Sequence, residues 1–100
     1  MPHSLIEYSR LSQGDLLDLA VGGVMAAGVT GALIPLQVGF LATDELHRRG
    51  KITYEQFKIE VDSRIKQYFH PEMSVEQILD KCDSLAQSVI QRYDQEIASN

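Results

Sequence analysis

The sequence predicts an all-α fold, a compact bundle of four to five helices that forms one domain over residues 1–100. Three observations support this: helix starts are marked by capping motifs, apolar residues recur at helical spacing, and no segment alternates apolar and polar residues as a strand would. With 100 residues, 44% of them hydrophobic and 23% charged, the chain suits one globular domain with a modest core. The helices are predicted at about 5–11, 15–29, 35–49, 54–69 and 75–97.

The predicted helix starts carry motifs in which Ser or Thr is followed three residues later by Glu or Gln. In such a capping box the hydroxyl accepts from a free backbone N–H, and the longer side chain accepts from the N–H of the cap. The motif occurs at Ser4–Glu7, Thr53–Gln56 and Ser74–Gln77, and Ser12 offers a weaker start. Two of these starts also carry a hydrophobic staple: Ile52 with Phe57, and Met73 with Ile78.

Glycine, cationic side chains and proline mark the helix ends. Gly50 follows residues 47–49, His-Arg-Arg, which suit the negative end of a helix dipole. Pro71 ends the next segment because the residue before a proline is pushed out of the helical region. Gly31 predicts a turn, and Pro35 suits the first turn of a new helix.

The last predicted helix, 75–97, has an apolar stripe that is wide enough to serve both the core and a partner. Small domains often bury surplus apolar area by pairing with another chain. The C-terminal part of this stripe, together with two arginines before Gly50, is therefore the candidate interaction surface: Leu85, Val89, Ile90, Tyr93, Ile97, Arg48 and Arg49.

Residues 19–43 contain no charged side chain, and two interpretations of this segment compete. A run of about 20 apolar residues can span a bilayer, and Gly23, Ala27 and Gly31 resemble the small-residue spacing of membrane helices. However, the segment holds five glycines and a break near Gly31, and two helices of about 15 residues are each too short to span. The sequence therefore favours a buried core hairpin, with membrane insertion as the alternative.

The residues predict no catalytic, cofactor-binding or metal site, and no cofactor. No metal-ligand motif, phosphate loop or nucleophile motif is present. Asp44 and His47, three residues apart, are interpreted as a solvated pair at a helix end. Cys82 lies on the apolar stripe, where a cysteine usually fills the core.

The net charge of -5 makes nucleic acid an unlikely partner, because a nucleic-acid binder needs a positive surface. A helix-turn-helix regulator that uses Arg48, Arg49, Lys51 and Lys58 remains an alternative. The single cysteine fits a reducing compartment, and residues 1–14 carry no secretory signal. A cytoplasmic location is therefore expected.

Residues 45–65, from Glu45-Leu46 through Gly50 and Thr53 to Ile65, resemble the short SHOCT-type helical hairpin of bacterial proteins. The resemblance covers a fifth of the chain. That hairpin usually ends a protein, whereas further residues follow it here. The resemblance implies two helices joined at Gly50, and it implies self-association.

Together these patterns predict a small non-enzymatic protein that acts through protein–protein interaction. An accessory, inhibitor or immunity-type protein that docks on a protein partner, or that forms a homo-oligomer, fits this description. A membrane-associated protein with residues 19–43 inserted is the first alternative, and the DNA-binding regulator is the second.

Overall fold

A computed structural model describes residues 6–99, in which a short 3-10 turn precedes four α-helices. The 3-10 turn covers Tyr8–Arg10, and the helices are α1 Gln13–Thr30, α2 Leu33–Arg49, α3 Tyr54–Tyr68 and α4 Val75–Ser99. The part of the chain that is described contains no strand. The predicted all-α bundle is thereby confirmed.

Helix α1 lies at the centre of the bundle and contacts each of the other three helices. Its first half supplies most of the core, because residues 15–17 and 19–23 are all buried. One core cluster joins this half to Ala42 and Leu46 of α2 and to Val89 of α4. A second cluster joins α1 to the end of α3 and to α4, through Val21, Phe69, Cys82 and Leu85.

Two carboxylates on α1 hold α3 and α4 in place. The Asp18 carboxylate accepts from Arg64 Nε at 3.2 Å and from the Tyr68 hydroxyl at 2.9 Å, both on α3. The Asp15 carboxylate accepts from Arg92 of α4 at 2.6 Å. The acidic groups of α1 are therefore used inside the molecule, where they set the positions of its neighbours.

The predicted caps of the last two helices are confirmed at atomic detail. The Thr53 hydroxyl accepts from the backbone N–H of Gln56 at 3.0 Å, and the Gln56 side chain accepts from the backbone N–H of Thr53 at 2.8 Å. The same reciprocal pair forms between Ser74 and Gln77, at 3.1 and 2.9 Å. Ser12 caps α1 by accepting from Asp15 N–H.

The prediction of a helix at 5–11 is wrong for the described residues 6–11, which form only the 3-10 turn. Side chains from distant parts of the chain bind backbone groups of this segment. Arg49 Nη2 donates to the carbonyl oxygens of Tyr8, Ser9 and Leu11, and the Tyr93 hydroxyl accepts from Glu7 N–H. The proposed cap at Ser4 lies outside the described residues.

Helix α2 begins at Leu33, two residues before the predicted start. Pro35 is its third residue, where the missing N–H removes no helical hydrogen bond because the first four N–H groups of a helix have no partner within it. The predicted end at Arg49 is confirmed, and Gly50 takes the left-handed conformation with φ 63°.

Candidate docking surface

Helices α1 and α2 form a hairpin that carries the uncharged segment 19–43. The base of this hairpin is buried, whereas residues 24–38, here called the hairpin tip, include no buried residue. The expectation of a core hairpin is therefore wrong for the tip. The fully buried residues of α1 end at Gly23. Beyond it Met25 and Ala26 pack, partly buried, against the second core cluster, so α3 and α4 cover the tip only in part.

The two helices of the hairpin cross at Gly23 and Gly39 with their backbones in close contact. A Cβ atom on Gly23 would lie 2.5 Å from the Pro35 carbonyl oxygen and 2.8 Å from the Gly39 backbone nitrogen. Only glycine permits this approach. Of the small residues noted in the sequence, Gly23 lies at a close helix contact, whereas Gly31 has a different role.

Gly31 makes the turn that joins α1 to α2, with φ 73° in the left-handed region that favours glycine. Its N–H donates to the Ala27 carbonyl at 2.7 Å. The Thr30 hydroxyl donates to the Ala26 carbonyl at 2.7 Å and accepts from Ala32 N–H at 3.1 Å. The turn is thus closed by hydrogen bonds within the chain itself.

Five large apolar side chains on the hairpin are exposed, and they form what we call the apolar patch: Val24, Leu33, Ile34, Phe40 and Leu41. Leu33 and Ile34 expose 77% and 76% of their surface, and Phe40 exposes 56%. Single exposed apolar residues are ordinary in soluble proteins, but a contiguous apolar surface of several hundred Å² marks an interaction site. No charged residue occurs in this part of the chain.

An apolar groove adjoins the patch between α1, α2 and α3, with a volume of about 250 Å³. Val24 and Phe40 belong to both, and the rest of the lining is Ala20, Val21, Met25, Thr43, Phe57, Val61 and Ile65. Its one polar side chain, Thr43, donates to the Gly39 carbonyl of its own helix at 2.8 Å. The groove therefore favours an apolar group and offers no polar side chain that lacks a partner.

The surface predicted on α4 is divided between the core and solvent. Leu85 and Val89 are buried against α1, and Ile90 and Tyr93 are half-buried. Only Ile97 is exposed, by 40%. Most of the predicted α4 surface therefore packs within the chain. The most exposed apolar residues on the hairpin were not among the predicted site residues.

Arg48 and Arg49, predicted as part of the same surface, form ion pairs with Glu45. Arg48 Nη2 lies 2.6 Å from Glu45 Oε1, and Arg49 Nε lies 2.9 Å from Glu45 Oε2. Hydrogen bonds from Arg49 and Arg48 lower the pKa of the Glu45 carboxyl from its ordinary value. Arg49 also binds the carbonyl groups around the 3-10 turn. Contacts within the chain therefore account for its position.

We expect Glu45→Gln to lower the urea midpoint of unfolding at neutral pH but to have less effect in acid. The folded protein holds the pKa of Glu45 below its unfolded value. The ionised carboxylate therefore contributes stability above the unfolded pKa, near 4.3, and that contribution is lost as the pH falls through the folded pKa. Urea titrations of the wild type and the variant at neutral pH and near pH 3 measure the difference.

Glu55→Gln is the matched control for this experiment. Glu55 is exposed, and its side chain lies 3.8 Å from Lys58 in an ion pair on the surface of α3. Such a pair contributes little, so the urea midpoint should change little at either pH. If the loss caused by Glu45→Gln were the same at both pH values, it would come from packing, and the ionic role of Glu45 would be refuted.

The basic residues of the helix-turn-helix alternative are largely paired with acidic or aromatic neighbours. Lys58 lies near Glu55 and also 5.1 Å from the centre of the Tyr54 ring. Arg48 and Arg49 pair with Glu45. A binding site for phosphate needs cationic groups that are available for counterion exchange, and these pairs reduce that availability.

Cys82 lies beside a second cavity, between α1, α2 and α4, with a volume of about 250 Å³. Burial raises the pKa of its thiol, which disfavours the thiolate that nucleophilic chemistry requires. Asp18, on the same cavity, already binds Arg64 and Tyr68. Within residues 6–99, no group of three or more metal-ligating side chains is placed to hold a metal ion.

No protein-family model matches the chain, and no significant match to it was found among curated proteins or solved structures. The resemblance of residues 45–65 to the SHOCT-type hairpin therefore has no support beyond the segment itself. In the part of the chain that is described, none of the helices combines the length and the apolar character needed to cross a membrane.

Proposed function

We propose that this chain is a small, non-enzymatic, cytoplasmic protein that acts by binding another protein, with the apolar patch as its docking surface. The observation that carries this proposal is the exposure of Leu33 and Ile34 at the end of a hairpin whose turn is closed by internal hydrogen bonds. An ordered surface loses little conformational entropy on binding. The buried, free thiol of Cys82 is consistent with a reducing compartment.

The charges beside the segment favour a protein partner over a bilayer. The first charged residues on either side of the uncharged segment are Asp18 and Asp44. Segments that insert at a membrane surface usually carry Lys or Arg at their borders, because the cytoplasmic leaflet is anionic. Asp18 is paired with Arg64, but the exposed Asp44 would be repelled by such a surface, whereas a protein partner imposes no such requirement.

Photo-crosslinking in cells tests the proposal directly. A benzoylphenylalanine at position 34, in the apolar patch, is expected to form adducts with protein under ultraviolet light. The matched control places the same residue at Gln91, which is exposed on α4 and lies outside the patch. Protein adducts at position 34 but not at position 91 would support the proposal.

Three other outcomes would contradict it. Adducts with lipid alone at position 34 would assign the patch to a bilayer. Equal protein adducts at both positions would show that protein binding is not specific to the apolar patch. An absence of adducts at position 34 would show that the patch has no partner in the cell.

A further inference from the structure

We infer that the partner on the apolar patch is a second copy of this chain, held by two α1–α2 hairpins that pack antiparallel about a two-fold axis. This inference rests on the proposed function, since it names the protein that docks. In a two-fold dimer the same surface of each copy meets itself, so this surface must hold both a projection and the recess that receives it. The hairpin carries both.

The projection and the recess lie on one face of α2. Leu33 is exposed at the start of the helix, and Phe40, seven residues later, lines the groove. Residues seven apart lie on the same side of a helix, about 10 Å from each other along its axis. An antiparallel partner therefore places its Leu33 beside Phe40 of the first copy, and the reverse contact forms at the same time.

The groove is large enough for the side chains that would enter it. Its volume of about 250 Å³ exceeds the roughly 150 Å³ of an engineered cavity that binds benzene. Leu33 and its neighbour Ile34 are aliphatic and suit its apolar lining. Because no polar side chain in the groove lacks a hydrogen bond, filling the groove with an aliphatic group leaves no polar side chain newly unpaired.

One polar residue on this face falls at the two-fold axis. Gln37 is exposed and lies four residues after Leu33 on the same stripe. When Leu33 of each copy lies beside Phe40 of the other, the axis passes between residues 36 and 37. A glutamine amide carries both a donor and an acceptor, so the two Gln37 side chains can bind each other across the axis.

The same arrangement separates the charges of the two copies. Each copy has a net charge of -5, so an interface that brought acidic residues together would be opposed by repulsion. In the antiparallel arrangement Asp44 of one copy lies opposite the turn at Gly31 of the other. That turn is in the middle of the uncharged segment, so no acidic group faces another across the contact.

The exposed area of the patch is a substantial part of the area that each partner buries in a stable dimer. The exposed fractions of the five patch residues amount to about three whole large apolar side chains. At about 150 Å² each these contribute roughly 450 Å², more than half of the approximately 800 Å² that each partner buries in a standard interface. The smaller residues of the tip surround the patch and would add to this area.

Analytical ultracentrifugation of the full chain over a range of concentrations tests the inference. The wild type is expected to sediment as a dimer of 11.2 kDa chains, and Leu33→Asp as a monomer, because its carboxylate cannot enter the apolar groove. Leu33 is the first residue of α2, where an acidic side chain favours the helix, so the fold should be kept. Circular dichroism checks this.

Ile59→Asp is the matched control. Ile59 is 67% exposed on α3, and the substitution changes the net charge equally, so this variant should remain a dimer. A Gln37→Cys variant tests the arrangement of the helices and should form a disulfide-linked dimer under mild oxidation. Ile59→Cys should not form such a dimer.

These experiments distinguish a failure of the dimer inference from a failure of the proposed docking function. A wild type that stays monomeric at tens of micromolar, or a dimer that Leu33→Asp leaves intact, overturns the second copy as partner. If protein adducts of another mass then form at position 34, the docking function stands with a different partner. Sedimentation of the wild type with phosphatidylcholine vesicles, lost in Leu33→Asp, would overturn both proposals.

Discussion

Gly23→Ala is expected to lower the free energy of unfolding by about 3 kcal/mol, the upper part of the range for overpacking a tight contact. The added Cβ would lie 2.5 Å from the Pro35 carbonyl oxygen and 2.8 Å from the Gly39 nitrogen. Both are backbone atoms, so no side-chain rotation can relieve the contact. Helix α2 must move away from α1, which loosens the crossing that positions the tip.

Gly22→Ala, at the adjacent residue, is the control. A Cβ on Gly22 would meet its nearest neighbour, Leu85 Cδ1, at 3.6 Å, which is an ordinary van der Waals distance. Because alanine favours a helix interior over glycine by about 0.8–1 kcal/mol, this variant should be as stable as the wild type or more so. Urea unfolding followed by circular dichroism measures both variants. Equal stability for the two would refute the close crossing at Gly23.

The sequence predicts those parts of the fold that depend on neighbouring residues. The starts of α3 and α4 are predicted to the residue because a capping box joins positions only three apart. The helix at 5–11 fails for the opposite reason. The carbonyl oxygens of Tyr8, Ser9 and Leu11 accept from Arg49, about forty positions away in the chain, and no local pattern reports such a contact.

The apolar patch shows which structural features can be inferred from a charge-free segment and which cannot. The sequence identifies residues 19–43 as a unit and suggests a turn at Gly31. It cannot tell a core from a docking surface, because both lack charge. The distinction depends on how far α3 and α4 reach along the hairpin, which is a property of the packed structure. The nearest signal in the sequence is the pair Leu33-Ile34, two large apolar residues directly after the turn.

The apolar stripe on α4 is another feature whose burial the sequence alone does not give. A pair of variants tests which of its residues belong to the core. We expect Leu85→Ala to lower the free energy of unfolding by about 2–5 kcal/mol, as for other large buried aliphatic residues. Leu85 is buried in the cluster with Val21 and Phe69, so its truncation leaves a cavity at the contact between α1 and α4. Ile97→Ala, at an exposed position, should change stability by no more than about 0.5 kcal/mol.

A second pair of variants, Ile97→Asp and Leu33→Asp, distinguishes the proposed docking surface from the one predicted on α4. If the end of α4 bound a partner, Ile97→Asp would weaken association while leaving the fold intact. If the apolar patch is the docking surface, Ile97→Asp should associate as the wild type does, and Leu33→Asp should not. Urea unfolding and sedimentation of the variants measure both properties. Loss of association in Ile97→Asp, with normal stability, would show that the docking surface lies on α4 as the sequence predicted.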